Sequence, residues 1–400
     1  MHQRRRITVR YYNLFFHPLA KTPGPLLARM STIPSFYHAC KGDRHVWIWQ
    51  KFQIYGDTFR ATPNQVLFNN TRTYADIHGY RAEIACSSFY TAWKRDKDDD
   101  TMINVTDTAL HMRKRKLVQL IELLCEGSDP DTWSASRNMA TWAVSSSRED
   151  MLQFLLNAID PETKQPAFSK RNELEAETRS LLLAGTDTSS LTITALFFYL
   201  SQYPRVLAKA TAEVRSVFSS ADEIVLGTAL SSCKYLRACI DETLRMSHPA
   251  PSELPRQILA GGAEIDGHTY PARTEVGCAA WSMGRDESMY GDVNKYRPER
   301  WIPSADPDWE AEVRALKKSF HPFSMGRMNC TGQRLAVLEL MLVSARTIWA
   351  TDFRLAPGFS NGEGSPGMGW GQRLRGVYVY KDAYLTLKDG PVLQFKPRAL

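Results

Sequence analysis

Apolar residues recur at helical spacing through the second half of the chain. Residues 172–203 hold no proline and carry Leu181, Leu182, Leu183, Leu191, Ile193 and Leu196. This predicts one helix of about 45 Å at 1.5 Å per residue. Pro204 fits the first turn of a second helix running to about Phe218. A third covers Cys233–Met246 and is stopped by Pro249 and Pro251, and a fourth covers Thr331–Ala350. Between the last two, Gly261, Gly262 and Gly267 break Pro251–Val276 into short hairpins. In the first half, Thr58–Arg60 and Gln65–Phe68 are strand-like on either side of Pro63 and predict a small sheet. Phe16–Pro25, with three prolines and a glycine, is a stiff, extended lead-in. The acidic run Asp96–Asp100 reads as a solvated loop. Helices with a minor, segregated sheet predict a fold that is mainly α with small β sheets.

Composition narrows the class. Four hundred residues with 43% hydrophobic content can bury a large core. A formal charge of +7, scattered rather than gathered into tracts, suits an acidic partner protein or an anionic membrane surface and not nucleic acid. Seven cysteines without a CxxC pair give neither a zinc nor a disulfide framework, so a reduced, cytosol-facing setting is expected. No run of eighteen apolar residues occurs, so no segment is expected to span a bilayer. Near the N-terminus Arg4–Arg6 precede Val9, Tyr11, Tyr12, Leu14, Phe15 and Phe16. Such a segment lies at a membrane interface or packs on its own domain, and both readings stand.

The densest chemistry lies in Phe323-Ser324-Met325-Gly326-Arg327-Met328-Asn329-Cys330-Thr331-Gly332. A cysteine sits where a glycine-bearing loop turns into an apolar helix. Gly326 can adopt angles closed to other residues and allows close approach to a flat cofactor. The free N–H groups of the following helix favour a thiolate, and Gly332 leaves a ring unobstructed. A buried cysteine by itself is ordinarily a small hydrophobe.

The ten-residue pattern resembles the haem-binding signature of cytochrome P450, in which Phe323, Gly326, Cys330 and Gly332 fall at the family's positions. The resemblance implies the P450 fold, haem (iron protoporphyrin IX) as cofactor, and Cys330 as the axial ligand of its iron. One departure is Met328, where the family carries a basic residue that pairs with a propionate. Tyr296-Arg297-Pro298-Glu299-Arg300-Trp301 is similar to the family's meander, which implies a structural triad of Glu242, Arg245 and Arg300. Ala184-Gly185-Thr186-Asp187-Thr188-Ser189 resembles the oxygen-activation segment, with Asp187 relaying protons and Thr188 holding water or oxygen. Read from the residues alone, Thr188 bonds back to the carbonyl four residues earlier. His111 and Arg115, on a helix beginning near His111, and Arg256 would meet the propionates. Arg113, Lys114 and Lys116 would form a docking patch for an acidic electron donor.

The resemblance implies a monooxygenase acting on an apolar small molecule in fungal secondary metabolism. Its electrons come from NADPH through NADPH–cytochrome P450 reductase, at the cytosolic face of the endoplasmic reticulum membrane. Residues 1–25 form a basic, proline-rich hinge and 26–400 one haem domain. Arg115 to Gly185 is only about seventy residues, room for roughly four helices, where the family places more, including those that roof the pocket. That shortening and Met328 keep open a haem-thiolate protein of isomerase, cyclase or inert type. A remote alternative is a serine hydrolase, since Gly358-Phe359-Ser360-Asn361-Gly362 matches GxSxG, although Gly364, Pro366, Gly367 and Gly369 oppose the helix an elbow needs.

Overall fold

The computed structural model describes residues 2–80, 82–95, 99–126, 151–160, 163–168 and 170–398. The chain opens with helices α1 (His2–Phe15), α2 (Leu26–Met30), α3 (Ile33–Lys41) and α4 (Arg44–Tyr55). Strands β1 (Thr58–Thr62) and β2 (Gln65–Phe68), helix α5 (Thr71–His78) and strand β3 (Ile84–Cys86) follow. Then come α6 (Thr108–Glu126), α7 (Met151–Leu156), α8 (Arg171–Gln202), α9 (Pro204–Val217), α10 (Thr228–Ser232) and α11 (Lys234–Met246). Strands β4 (Arg256–Ile258), β5 (Ala263–Ile265), β6 (His268–Tyr270) and β7 (Glu275–Cys278) precede α12 (Ala280–Met283), α13 (Glu287–Tyr290) and α14 (Pro307–Ser319). The chain closes with α15 (Gln333–Ala350) and strands β8 (Thr351–Leu355), β9 (Lys381–Ala383), β10 (Leu385–Leu387) and β11 (Leu393–Pro397).

Four helices carry the core. The second half of α8 buries Leu191, Ala195, Leu196, Phe198, Tyr199 and Leu200 against α9, α11 and α15. Their bounds follow the sequence signals: Pro204 occupies the first turn of α9, and α11 stops shortly before Pro249. Helix α6 starts three residues before His111. By length and composition α8 is apolar enough to cross a membrane, which no sequence run suggested, yet here it is the central helix of the fold.

The main sheet has the order β1-β2-β7-β4-β3, with β2 and β7 parallel and the other pairs antiparallel. This corrects the expectation of hairpins throughout Pro251–Val276. Only β5 and β6 form one, around Asp266 and Gly267, both at positive φ as a tight two-residue turn requires. Strands β4 and β7 instead enclose that hairpin and join the sheet. The lead-in 16–25 is pinned to β1. Arg60, fully buried, donates to the carbonyls of Asn13, Leu19 and Pro63, and its own N–H donates to Pro23 at 2.6 Å.

Two polar assemblies fix this frame. Glu242 accepts from Arg245 at 2.9 and 3.0 Å, from Arg300 Nε at 3.0 Å and from Trp301 Nε1 at 2.9 Å. All three charged members of the triad are buried. The second assembly corrects the solvated-loop reading of Asp96–Asp100, of which 96–98 lie outside the described residues. Asp99 is buried and ion-paired to Arg179 of α8 at 2.7 Å. Nearby, fully buried Glu177 accepts the Met102 N–H at 3.0 Å and faces Lys114 at 3.4 Å. Lys114 also pairs with Glu173 at 2.8 Å, and Arg113 with buried Asp160 at 2.5 Å. The basic docking patch therefore loses Lys114. Lys114 is buried against Glu173 and Glu177 of α8, while Arg113 reaches buried Asp160 from a half-exposed position.

Candidate active site

A cavity of about 350 Å³ lies among α6, α8, the loop before α15, the edge of the main sheet and the turn between β9 and β10. Phe323, Cys330, Gly332, His111, Arg115, Arg256, Gly185 and Thr188 all line it. Gly326 and Asp187 do not line it.

The cysteine loop closes on itself. The Cys330 N–H donates to the Phe323 carbonyl at 2.8 Å, with a single tight turn at Gly326–Met328 between them. Gly326 has φ +73°, and a Cβ there would stand 2.0 Å from the His78 carbonyl. The close approach that demands glycine is thus to the end of α5. Three residues after Cys330, α15 begins, and the cysteine is exposed on the cavity side. Arg115 fastens the loop from α6, donating to the Asn329 carbonyl at 2.5 Å and to its side-chain oxygen.

One edge of the cavity is basic. Arg256 is buried, and its hydrogen bonds among the described residues go to the Tyr90 hydroxyl and the Pro255 carbonyl, both at 3.1 Å. No carboxylate pairs with it there. Burial, then Arg115 and Arg256, pull the His111 imidazole down to about 4, so it is neutral near pH 7. Burial and Arg256 likewise hold buried His78 well below its ordinary value. Arg327 turns away to the Ala82 carbonyl at 3.0 Å. Met328 faces Cys86, sulfur to sulfur at 3.5 Å.

On α8 the helix runs unbroken past Gly185, where an added Cβ would meet open space. The Thr188 hydroxyl donates to the Ala184 carbonyl at 2.6 Å, the bond expected from the residues alone. Ser189 donates to Glu339 of α15 at 2.9 Å, tying the two helices together across the cavity wall.

A profile of the cytochrome P450 family matches residues 89–360. The chain belongs to the cytochrome P450 family. A cytochrome P450 monooxygenase of Penicillium oxalicum is 29% identical to it, covering 96% of this chain and 91% of its own. One from Purpureocillium lilacinum is 36% identical over 72% of this chain and 80% of its own. One from Gibberella zeae is 40% identical over 63% of this chain and 56% of its own. The alignment with the Penicillium protein runs for 487 positions while 96% of 400 residues take part, so about one hundred positions are filled in the relative only. As a P450 the protein is an oxidoreductase built around haem, and its residues fit that group. An exposed thiol faces the same cavity as a buried guanidinium with no carboxylate partner among the described residues, and burying such a cation is costly until an anion joins it.

Sequence reasoning missed Tyr90, Met102, Ile103 and Tyr384, which also line the cavity. None lies in a local motif. The serine hydrolase pattern gains no support: Ser360 is exposed and turns, not a helix, follow it. The shortened stretch between α6 and α8 holds α7 and a bridge between Ile159 and Pro166, and 127–150 lie outside the described residues.

Proposed function

We propose that this P450 is a haem-thiolate monooxygenase of fungal secondary metabolism, oxidising an apolar small molecule. Residues 26–400 act as its haem domain behind a hinge at 1–25. The observation that carries the reading is that Cys330, on the loop before α15, opens into the cavity that Gly185 and Thr188 of α8 also line. Haem, once held, supplies the redox chemistry by which one atom of dioxygen enters a substrate. Cys330 would hold its iron through the thiolate sulfur. Arg256, Arg115 and His111, which line the cavity together, would meet its carboxylates. Leu181, Leu244, Leu254, Met102 and Ile103 give the cavity an apolar wall that suits an apolar substrate.

Proton delivery is the role least prepared by the geometry. Thr188 spends its hydroxyl on Ala184, and Asp187 is half-buried outside the cavity lining. This favours a second reading, a haem-thiolate protein of isomerase or cyclase type. The two part on substrate-dependent NADPH consumption in the presence of NADPH–cytochrome P450 reductase, the proposed electron donor. A haem-loaded sample that consumes none with any apolar compound is no monooxygenase.

At the N-terminus Tyr11, Phe15, Phe16, Leu27 and Phe36 are all exposed, which supports contact with the endoplasmic reticulum membrane. Cosedimentation with anionic vesicles, weakened by Phe15→Ser with Phe16→Ser, tests that contact. The deciding experiment for the function is the carbon monoxide difference spectrum of the reduced protein. It reports thiolate ligation directly and should vanish in Cys330→Ser; an unchanged spectrum in that variant overturns the reading.

A further inference from the structure

Tyr90 sits in the short turn Ser88–Trp93 on the cavity wall, 4% exposed. Its hydroxyl oxygen receives two hydrogen bonds, from Arg256 Nη1 at 3.1 Å and from the Tyr384 hydroxyl at 3.0 Å. A phenol also has one proton to give. With the oxygen occupied as acceptor twice, the Tyr90 proton has no acceptor among the described residues. A buried donor left in that state costs free energy until something accepts from it.

The arrangement is built, not incidental. Tyr384 occupies the turn between β9 and β10 at φ +75°, a left-handed conformation that an aromatic residue avoids unless its surroundings enforce it. Buried Asp382 accepts the Tyr384 N–H at 3.0 Å and so holds the turn. Trp93 packs edge-on to the Tyr384 ring, centroids 4.6 Å apart. The strained backbone delivers one hydroxyl to Tyr90 and fixes the direction of the remaining proton. On the other side, Arg256 polarises the same phenol while its Nε and Nη2 make no hydrogen bond among the described residues. Those two nitrogens suffice for a cofactor carboxylate, which leaves the Tyr90 proton over.

We propose that Tyr90 is a specificity residue whose oriented hydroxyl donates to an acceptor oxygen, such as a carbonyl or ether, on an otherwise apolar substrate. This rests on the haem-monooxygenase reading. An acceptor oxygen could also come from a haem carboxylate, so the test separates the two sources.

The test uses the full-length, haem-loaded protein and two probes of one shape, 1-tetralone and tetralin, which differ by a carbonyl. Calorimetric titration of the wild type should show 1-tetralone bound about tenfold more tightly, the worth of one buried hydrogen bond. Tyr90→Phe should erase that preference to within about twofold, since no hydroxyl is left to donate to the ketone; it also takes the acceptor from Arg256 and Tyr384, which both probes feel alike, so the ratio of the two affinities is the readout. Tyr384→Phe, which frees the Tyr90 hydroxyl to turn, should lower the preference, and it carries the test if Tyr90→Phe does not fold. No ketone preference in the wild type, or a preference that survives Tyr90→Phe, overturns the proposal. So does a Tyr90→Phe variant that only speeds haem transfer to apomyoglobin, because the donor then serves the cofactor. A sample lacking the thiolate carbon monoxide spectrum fails the parent reading as well; with that spectrum present, only the probe comparison decides.

Discussion

Replacing Glu242 by glutamine tests whether the buried triad is as costly to break as its geometry implies. The carboxylate takes two hydrogen bonds from Arg245, one from Arg300, one from Trp301 and one from the Arg297 N–H at 3.0 Å. Glutamine keeps the shape but removes the anion that pairs with both buried guanidinium groups, and it turns an N–H toward an N–H. Breaking such a pair from one side costs about 3–5 kcal/mol, a large part of the roughly 5–15 kcal/mol that holds a domain together. Urea unfolding of the haem-loaded protein, followed by circular dichroism and haem absorbance, measures the loss. Glu299→Gln is the control, since Glu299 meets Lys209 at 2.6 Å on the surface and should cost under about 1 kcal/mol. Equal midpoints for the two variants would refute the reasoning. The pH dependence gives a second check. Burial pushes the Glu242 carboxyl up, but Arg245 and Arg300 outweigh it and the net shift is downward. A lowered carboxyl contributes stability above its ordinary range and loses it as pH falls through the folded value. The acid limb of the wild type should therefore be steeper than that of Glu242→Gln.

Lys114→Met leaves Glu177 buried without its cation, at a cost of about 3 kcal/mol in the urea midpoint. Burial already raises the Glu177 carboxyl, so the penalty should grow as pH rises past the ordinary carboxylate range. A penalty that shrinks with rising pH would contradict the assignment. Gly326→Ala meets the His78 carbonyl and also pays about 1–2 kcal/mol for left-handed backbone; the expected result is faster haem transfer to apomyoglobin, read from the absorbance of the acceptor. Ser360→Ala should leave haem content and p-nitrophenyl acetate turnover as they were, and a loss of esterase activity would reinstate the hydrolase.

What the sequence discloses depends on how far apart the cooperating residues lie. The cysteine loop is ten consecutive residues, so its pattern is visible without a fold. The helix ends at Pro204 and before Pro249 are equally local, because proline acts on its own backbone. The triad was readable at one remove, since Glu242 and Arg245 share a helix turn and Arg300 lies in a second recognisable run. The Tyr90–Tyr384 contact joins residues 294 apart, and no short pattern encodes it. Charge misled for the same reason. Asp99 looks solvated beside its acidic neighbours and Lys114 looks exposed among basic ones, but each partner is contributed by α8, 59 to 80 positions away. Local charge density describes neighbours along the chain, whereas burial is decided by whatever packs opposite.

Those buried pairs also explain how a shortened P450 can keep a defined cavity. Met102 and Ile103 line it from an irregular segment, and such a segment has few apolar contacts with which to fix its own position. Here Glu177 grips the Met102 N–H, Asp99 anchors the segment to Arg179, and the Asn104 side chain bridges to the Asp99 carbonyl at 2.9 Å. Hydrogen bonds to buried carboxylates are directional, and apolar packing is not. A charged latch can contribute little net stability and still select one conformation, which is the property a substrate wall needs. On this argument Lys114→Met should blur the selectivity of the cavity as well as weaken the fold, because it loosens the carboxylate that holds Met102 in place.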